Sequence, residues 1–173
     1  MKAALVFFCL SASALAQQTQ YQPRLPAACG SAGTSFNVHL DRSQHGPVPP
    51  EAGKAMIYFI HEAGLPSGHL AIAYPTTKYA LDGTWVGAGH GDSWFAVPVT
   101  PGEHHLCAAL QSSFVDQRVE LAHLTLEAGG AYFFRTRLVL SGTVELLELN
   151  PIDSDEGEYL ISEDPMATAR PKR

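Results

Sequence analysis

From Ala55 to Leu149 apolar residues recur with a period of two, and this alternation constrains the fold more than any other feature of the chain. A period of two places alternate side chains on opposite faces of an extended strand, so each such segment must bury one face. Leu121 to Leu126 sets Ala122, Leu124 and Leu126 against Leu121, His123 and Thr125. Tyr132 to Leu140 sets Tyr132, Phe134, Leu138 and Leu140 inward, with Phe133, Arg135 and Arg137 mostly outward. Ala55-Met-Ile-Tyr-Phe-Ile60 is apolar on both faces, which predicts a central strand covered on both sides. Leu70 to Tyr74 and Thr77 to Leu81 flank Pro75 and read as short edge strands, and Val144 to Leu149 follows a Ser141-Gly142 turn. Fifteen Gly and twelve Pro, spread along the chain, supply turns. The pattern predicts an all-β, antiparallel sandwich or barrel of about seven to nine strands between Phe36 and Leu149. One segment departs from it: Asp153 can cap a short C-terminal helix, with Glu156 three residues on, although Gly157 weakens that helix.

One hairpin is predicted in detail. Thr84 to Val97 has its turn signal at His90-Gly91, which sets Val86 opposite Phe95 and Gly87 opposite Trp94. Trp85 and Trp94 then lie diagonally close on the face away from the core. There they can stack on sugar rings or be covered by the N-terminal arm.

The ends read differently. Lys2, an apolar Ala3 to Leu10 and Ala14-Leu15-Ala16 have the form of a secretory signal with a small-x-small cleavage site, and the apolar run is too short to span a bilayer. Expected organisation is therefore a signal peptide over 1–16, an N-terminal arm and Pro-rich linker over 17–50, the sandwich over 51–150 and a C-terminal helix and tail over 151–173. The expected location is the periplasm or the extracellular space. Removal of Cys9 with the leader leaves Cys29 and Cys107, which in an oxidising compartment are expected to close a disulfide rather than stay free or act catalytically. If Leu106, Ala108 and Leu110 face the core, Cys107 points away from it and the bridge straps the arm over the outer surface.

Eleven Lys and Arg against seventeen Asp and Glu give a net charge of −6, with no basic block before Arg170 to Arg173. That balance argues against nucleic acid or an anionic membrane as the main partner. No cofactor motif is present, and no segment after the leader predicts a transmembrane span. Gly87-Ala-Gly-His-Gly91 lacks the lysine and following helix of a phosphate loop, and Ser93 beside Asp92 and near His90 lacks a Gly-x-Ser-x-Gly elbow. Asp153 to Glu158 is out of register with a calcium loop, so those acids read as helix-capping. Eight histidines (His39, His45, His61, His69, His90, His104, His105 and His123) include no pair at helical zinc-site spacing. Adjacent His104 and His105 point to opposite faces of a strand, and a site assembled from His61, His90 and His104 is the one metal arrangement left open.

Tyr79-Ala-Leu-Asp-Gly-Thr-Trp-Val-Gly87 followed by Trp94-Phe-Ala-Val-Pro-Val-Thr-Pro-Gly-Glu-His-His-Leu106 resembles the PEGA-type pattern of strand, Asp-Gly turn, Val-Gly and Pro-Gly-x-His. Leu126-Glu-Ala-Gly-Gly-Ala-Tyr-Phe-Phe-Arg135, Asn150 to Ile161 and the Cys29-Gly30 start are similar to a related family of secreted bacterial domains of unknown function. The resemblance covers roughly Cys29 to Lys172. It implies an immunoglobulin-like or transthyretin-like β-sandwich in the cell envelope and supplies no catalytic residues. The expected function is a non-catalytic envelope module that binds a protein or glycan, or plays a structural role, through Trp85, Trp94, Arg135 and Arg137. A small-ligand or metal-binding periplasmic protein is the alternative, and a hydrolase a weaker one.

Overall fold

The computed structural model describes residues 25–44, 46–63, 75–111, 118–141 and 144–172. Its elements, in order, are β1 (Phe36–Asp41), β2 (Ala55–Glu62), β3 (Thr76–Leu81), β4 (Thr84–His90), β5 (Ser93–Val99), β6 (Gly102–Gln111), β7 (Val119–Leu126), β8 (Ala131–Ser141), β9 (Val144–Ile152), α1 (Ser154–Glu163) and β10 (Met166–Pro171). The strands form a six-stranded sheet, β1-β10-β5-β2-β8-β9, and a four-stranded sheet, β4-β3-β6-β7. The two do not close into a barrel. The all-β sandwich follows the alternation, with nine described strands between Phe36 and Ile152, as expected, and a tenth, β10, beyond them. Most neighbours are antiparallel, but β2 runs parallel to β8 and β10 runs parallel to β5. The signal-like leader, Leu70 to Tyr74, Gly142, His45 and His69 lie outside the described residues.

Why β2 is apolar on both faces is now physical. Ala55, Ile57 and Phe59 enter the core between the sheets, while Met56, Tyr58 and Ile60 face outward under α1. The inter-sheet core meets across Phe59, Tyr79 and Phe95, with ring centroids 4.8 Å and 5.4 Å from Tyr79. Tyr79 is fully buried and its hydroxyl bonds Thr136 Oγ1, which itself donates to the Ile60 carbonyl at 3.1 Å. Burial pushes the Tyr79 phenol up, so it stays a neutral hydrogen-bonding group.

Helix α1 starts as the sequence predicts. The Asp153 carboxylate accepts the Glu156 N–H at 2.9 Å, which satisfies one of the free amides of the first turn. Gly157 does not weaken the packing. A Cβ there would come within 2.4 Å of the Phe133 ring, so the missing side chain is what lets α1 lie against the sheet. Ile161 is fully buried on the same face, and burying it contributes ~1.5–3 kcal/mol.

Three expectations change. Thr77 to Leu81 lies in β3, an interior strand between β4 and β6 and not an edge. The sandwich is not confined to 51–150: β1 from the arm pairs with β10 from the tail over six residues, and β10 meets β5 at Trp94. The predicted β4–β5 hairpin does not exist. Gly91, at φ 65°, turns a corner that sends β4 to the small sheet and β5 to the large one, where β5 pairs with β2.

Candidate functional site

Because β4 and β5 belong to different sheets, Trp85 and Trp94 face opposite outer surfaces. Trp94 is 1% exposed, packed with Tyr58 under α1, and donates its indole N–H to the Asp164 carbonyl at 3.0 Å. Trp85 is half-buried beneath the segment before β1: its indole N–H donates to the Ser31 carbonyl at 2.9 Å, and its ring fills the space a Cβ on Gly30 would need. The aromatic pair expected as a binding patch is therefore not brought together. Each Trp holds a cover in place.

That cover over the small sheet is a strap. Cys29 and Cys107 form the expected disulfide, and Cys107 lies with Ala80 and Ala109 on the outer face, as the strand alternation predicts. Lys78 is 2% exposed beneath the strap. Its ammonium donates to the Thr34 carbonyl at 2.8 Å and sits 4.4 Å from the Trp85 ring centroid. Burial lowers its pKa.

The arginines are also paired. Arg135 reaches Glu156 of α1 and lies 3.8 Å from Glu62, and its buried Nε has no hydrogen-bond partner among the described residues. Arg137 donates to Glu148 of β9 at 2.9 Å. Both sit on the outward face of β8, but their charges are directed at acids of α1 and of the neighbouring strands β2 and β9.

The histidines separate into distinct settings. His61 is buried; its Nδ1 donates to the Gly91 carbonyl at 2.6 Å, so its Nε2 accepts from the Thr77 hydroxyl at 3.1 Å. Burial holds its pKa below the ordinary value, keeping that tautomer neutral. His90 reaches Thr76 through Nδ1 at 3.3 Å, and its backbone N–H, not its ring, meets the Ser93 hydroxyl. Ser93 is fully buried, and the His90 ring does not activate it. Gly87 and Gly89 face inward, where added Cβ atoms would meet Phe95 and His61, so the glycine-rich stretch is a close-packing device. His104 lies beyond the other end of β3, roughly 20 Å along the strand, with Nδ1 2.6 Å from Asp82 and Nε2 2.8 Å from the Thr100 carbonyl. Partial burial opposes its charge, but the Asp82 and Thr100 contacts outweigh that and raise its pKa. The His61, His90 and His104 combination is not assembled, and among the described residues no three His, Cys, Asp or Glu side chains converge as a metal site.

What the sequence did not single out is an apolar groove of about 440 Å³ at the side where β7 approaches β8 and β9. Ala122 and Leu124 line one wall, and Tyr132, Phe134, Pro151 and Ile152 the other. Tyr132 is fixed there by accepting the Glu127 N–H at 2.8 Å. The groove opens beside β7, the edge strand of the small sheet, which carries Leu121 at 51% exposure. Leu124 and Phe134 were legible as inward residues, but the gap between them depends on how far apart the two sheet edges stand. Chemically the groove offers apolar contact and an aromatic ring beside a row of backbone hydrogen-bonding groups. No family model, curated protein or solved structure matches this chain.

Proposed function

We propose that the chain is an exported, non-catalytic binding module that takes up an extended apolar segment of another protein. The observation that carries this reading is the coincidence of the groove with the open edge of β7. A strand added to β7 gains main-chain hydrogen bonds, and its alternate side chains fall toward Leu124, Tyr132 and Phe134. Location outside the cytoplasm, in the cell envelope, is supported by the signal-like leader, the Cys29–Cys107 bridge and the PEGA-like pattern. A glycan partner loses its main support once Trp85 and Trp94 are seen to cover opposite faces.

The test is nuclear magnetic resonance titration of ¹⁵N-labelled protein with ten-residue peptides of alternating apolar and polar residues, and separately with peptidoglycan fragments. Peptide-induced shifts concentrated on β7 amides and the Tyr132 region support the proposal. They should vanish in a folded Leu124→Lys variant. Shifts from the glycan fragments with none from peptides would overturn it.

A further inference from the structure

We infer that His105 and His123 form a two-imidazole chelate for a borderline divalent transition-metal ion such as Cu²⁺, Ni²⁺ or Zn²⁺. The two residues face each other across the antiparallel β6–β7 pair, and their rings are 4.7 Å apart between centroids. Both lie on the outer face of the small sheet and both are exposed.

What distinguishes this pair from the other histidines is unused nitrogen. His61 and His104 commit both ring nitrogens to hydrogen bonds, and His90 commits one. His105 and His123 interact with each other through their rings, and none of their four ring nitrogens has a hydrogen-bond partner among the described residues. Neutral imidazole nitrogen is a preferred donor to these ions, and the Irving–Williams order places Cu²⁺ highest among them.

The platform is rigid. Asp82 clasps the His105 backbone from both sides, its N–H donating to the His105 carbonyl at 2.9 Å and its Oδ1 accepting the His105 N–H at 2.9 Å. One strand over, His123 is held by the β6–β7 ladder. Two donors fixed at this spacing bind as a unit, because the second imidazole is already at high effective concentration when the first engages. No third side chain of the described residues completes a cage, so the remaining coordination positions belong to water or to a donor brought by a bound molecule. His123 also borders the groove, but the inference rests on the geometry of the pair and not on the peptide binding proposed there.

The experiment is Cu²⁺ titration of the disulfide-intact protein, read by calorimetry and by electron paramagnetic resonance. The expected result is one site whose spectrum reports two equivalent nitrogen donors. His105→Gln and His123→Gln should each weaken it by about 100-fold or more, since each leaves a single imidazole donor, and the double variant, which has neither, should show no site. His39→Gln, at an exposed lone histidine, should leave it intact. Retention of the site in both His105→Gln and His123→Gln, or its loss on changing His90 or His39 alone, would overturn the inference. Because both positions are exposed, thermal unfolding in chelator should show the variants folded like the parent.

Discussion

Removing the bridge tests how the strap is held. In Cys29→Ala/Cys107→Ala the loop no longer closed spans 78 residues. In the chain-entropy description, a loop of that size confers ~4–5 kcal/mol by restricting the unfolded chain. That is a large share of a typical domain's ~5–15 kcal/mol. With a urea slope of ~1.5–2 kcal/mol/M, the unfolding midpoint should fall by roughly 2–3 M. The strap's remaining contacts, from Gly83 N–H to the Ala28 carbonyl at 3.0 Å, Trp85 to Ser31 and Lys78 to Thr34, are too few to hold it alone. Hydrogen exchange should show this locally: the Gly83 amide loses protection well below the global midpoint, while β2 amides keep theirs. A midpoint shift under about 0.5 M would refute the reasoning. So would continued protection at Gly83, because the strap would then be anchored by packing and not by the covalent link.

Three further outcomes are expected. Gly157→Ala should destabilise by ~1–3 kcal/mol in urea unfolding despite alanine's better helix propensity, because the new Cβ meets the Phe133 ring. Thr136→Val should cost ~1–3 kcal/mol, as it strands the buried Tyr79 hydroxyl, and Tyr79→Phe in that background should recover part of the loss. Asp164 has its carboxyl pushed up to about 6 by burial, with Asp92, Glu62 and Glu163 adding to the effect. Its folded pKa lies above the unfolded value near 3.8, so its contribution is complete below that value and lost as pH rises through about 6. Asp164→Asn should therefore raise the urea midpoint at pH 7.5 and leave it unchanged at pH 3.5. The Trp94 bond survives, since it is made to the Asp164 backbone carbonyl.

Legibility followed the range of the interaction. The two-sided apolarity of β2, the faces of β7 and β8, the Asp153 cap and the outward aim of Cys107 all rest on neighbours within one element, and each was readable. The β4–β5 junction was not. A short polar gap between two alternating segments suits a hairpin and an inter-sheet corner equally, and the choice is made by β2, which claims β5 from more than thirty residues away. For the same reason β10, Met-Ala-Thr-Ala-Arg-Pro, read as a tail: its strand character comes from β1 and β5 on either side. His105 and His123 lie eighteen positions apart, and only the β6–β7 register makes them neighbours.

The place of β10 sets when this fold can be completed. It follows every other described strand in sequence, yet it sits inside the large sheet, between β1 and β5. Until residues 166–171 have emerged from the ribosome, β1 has no partner and one side of β5 stays open, leaving a slot one strand wide. The large sheet therefore cannot close before that segment is available. A chain truncated before Met166 would carry that slot permanently, open to the same strand donated by a second molecule. Strand exchange of this kind would link truncated and intact copies through a register already encoded in Phe36–Asp41.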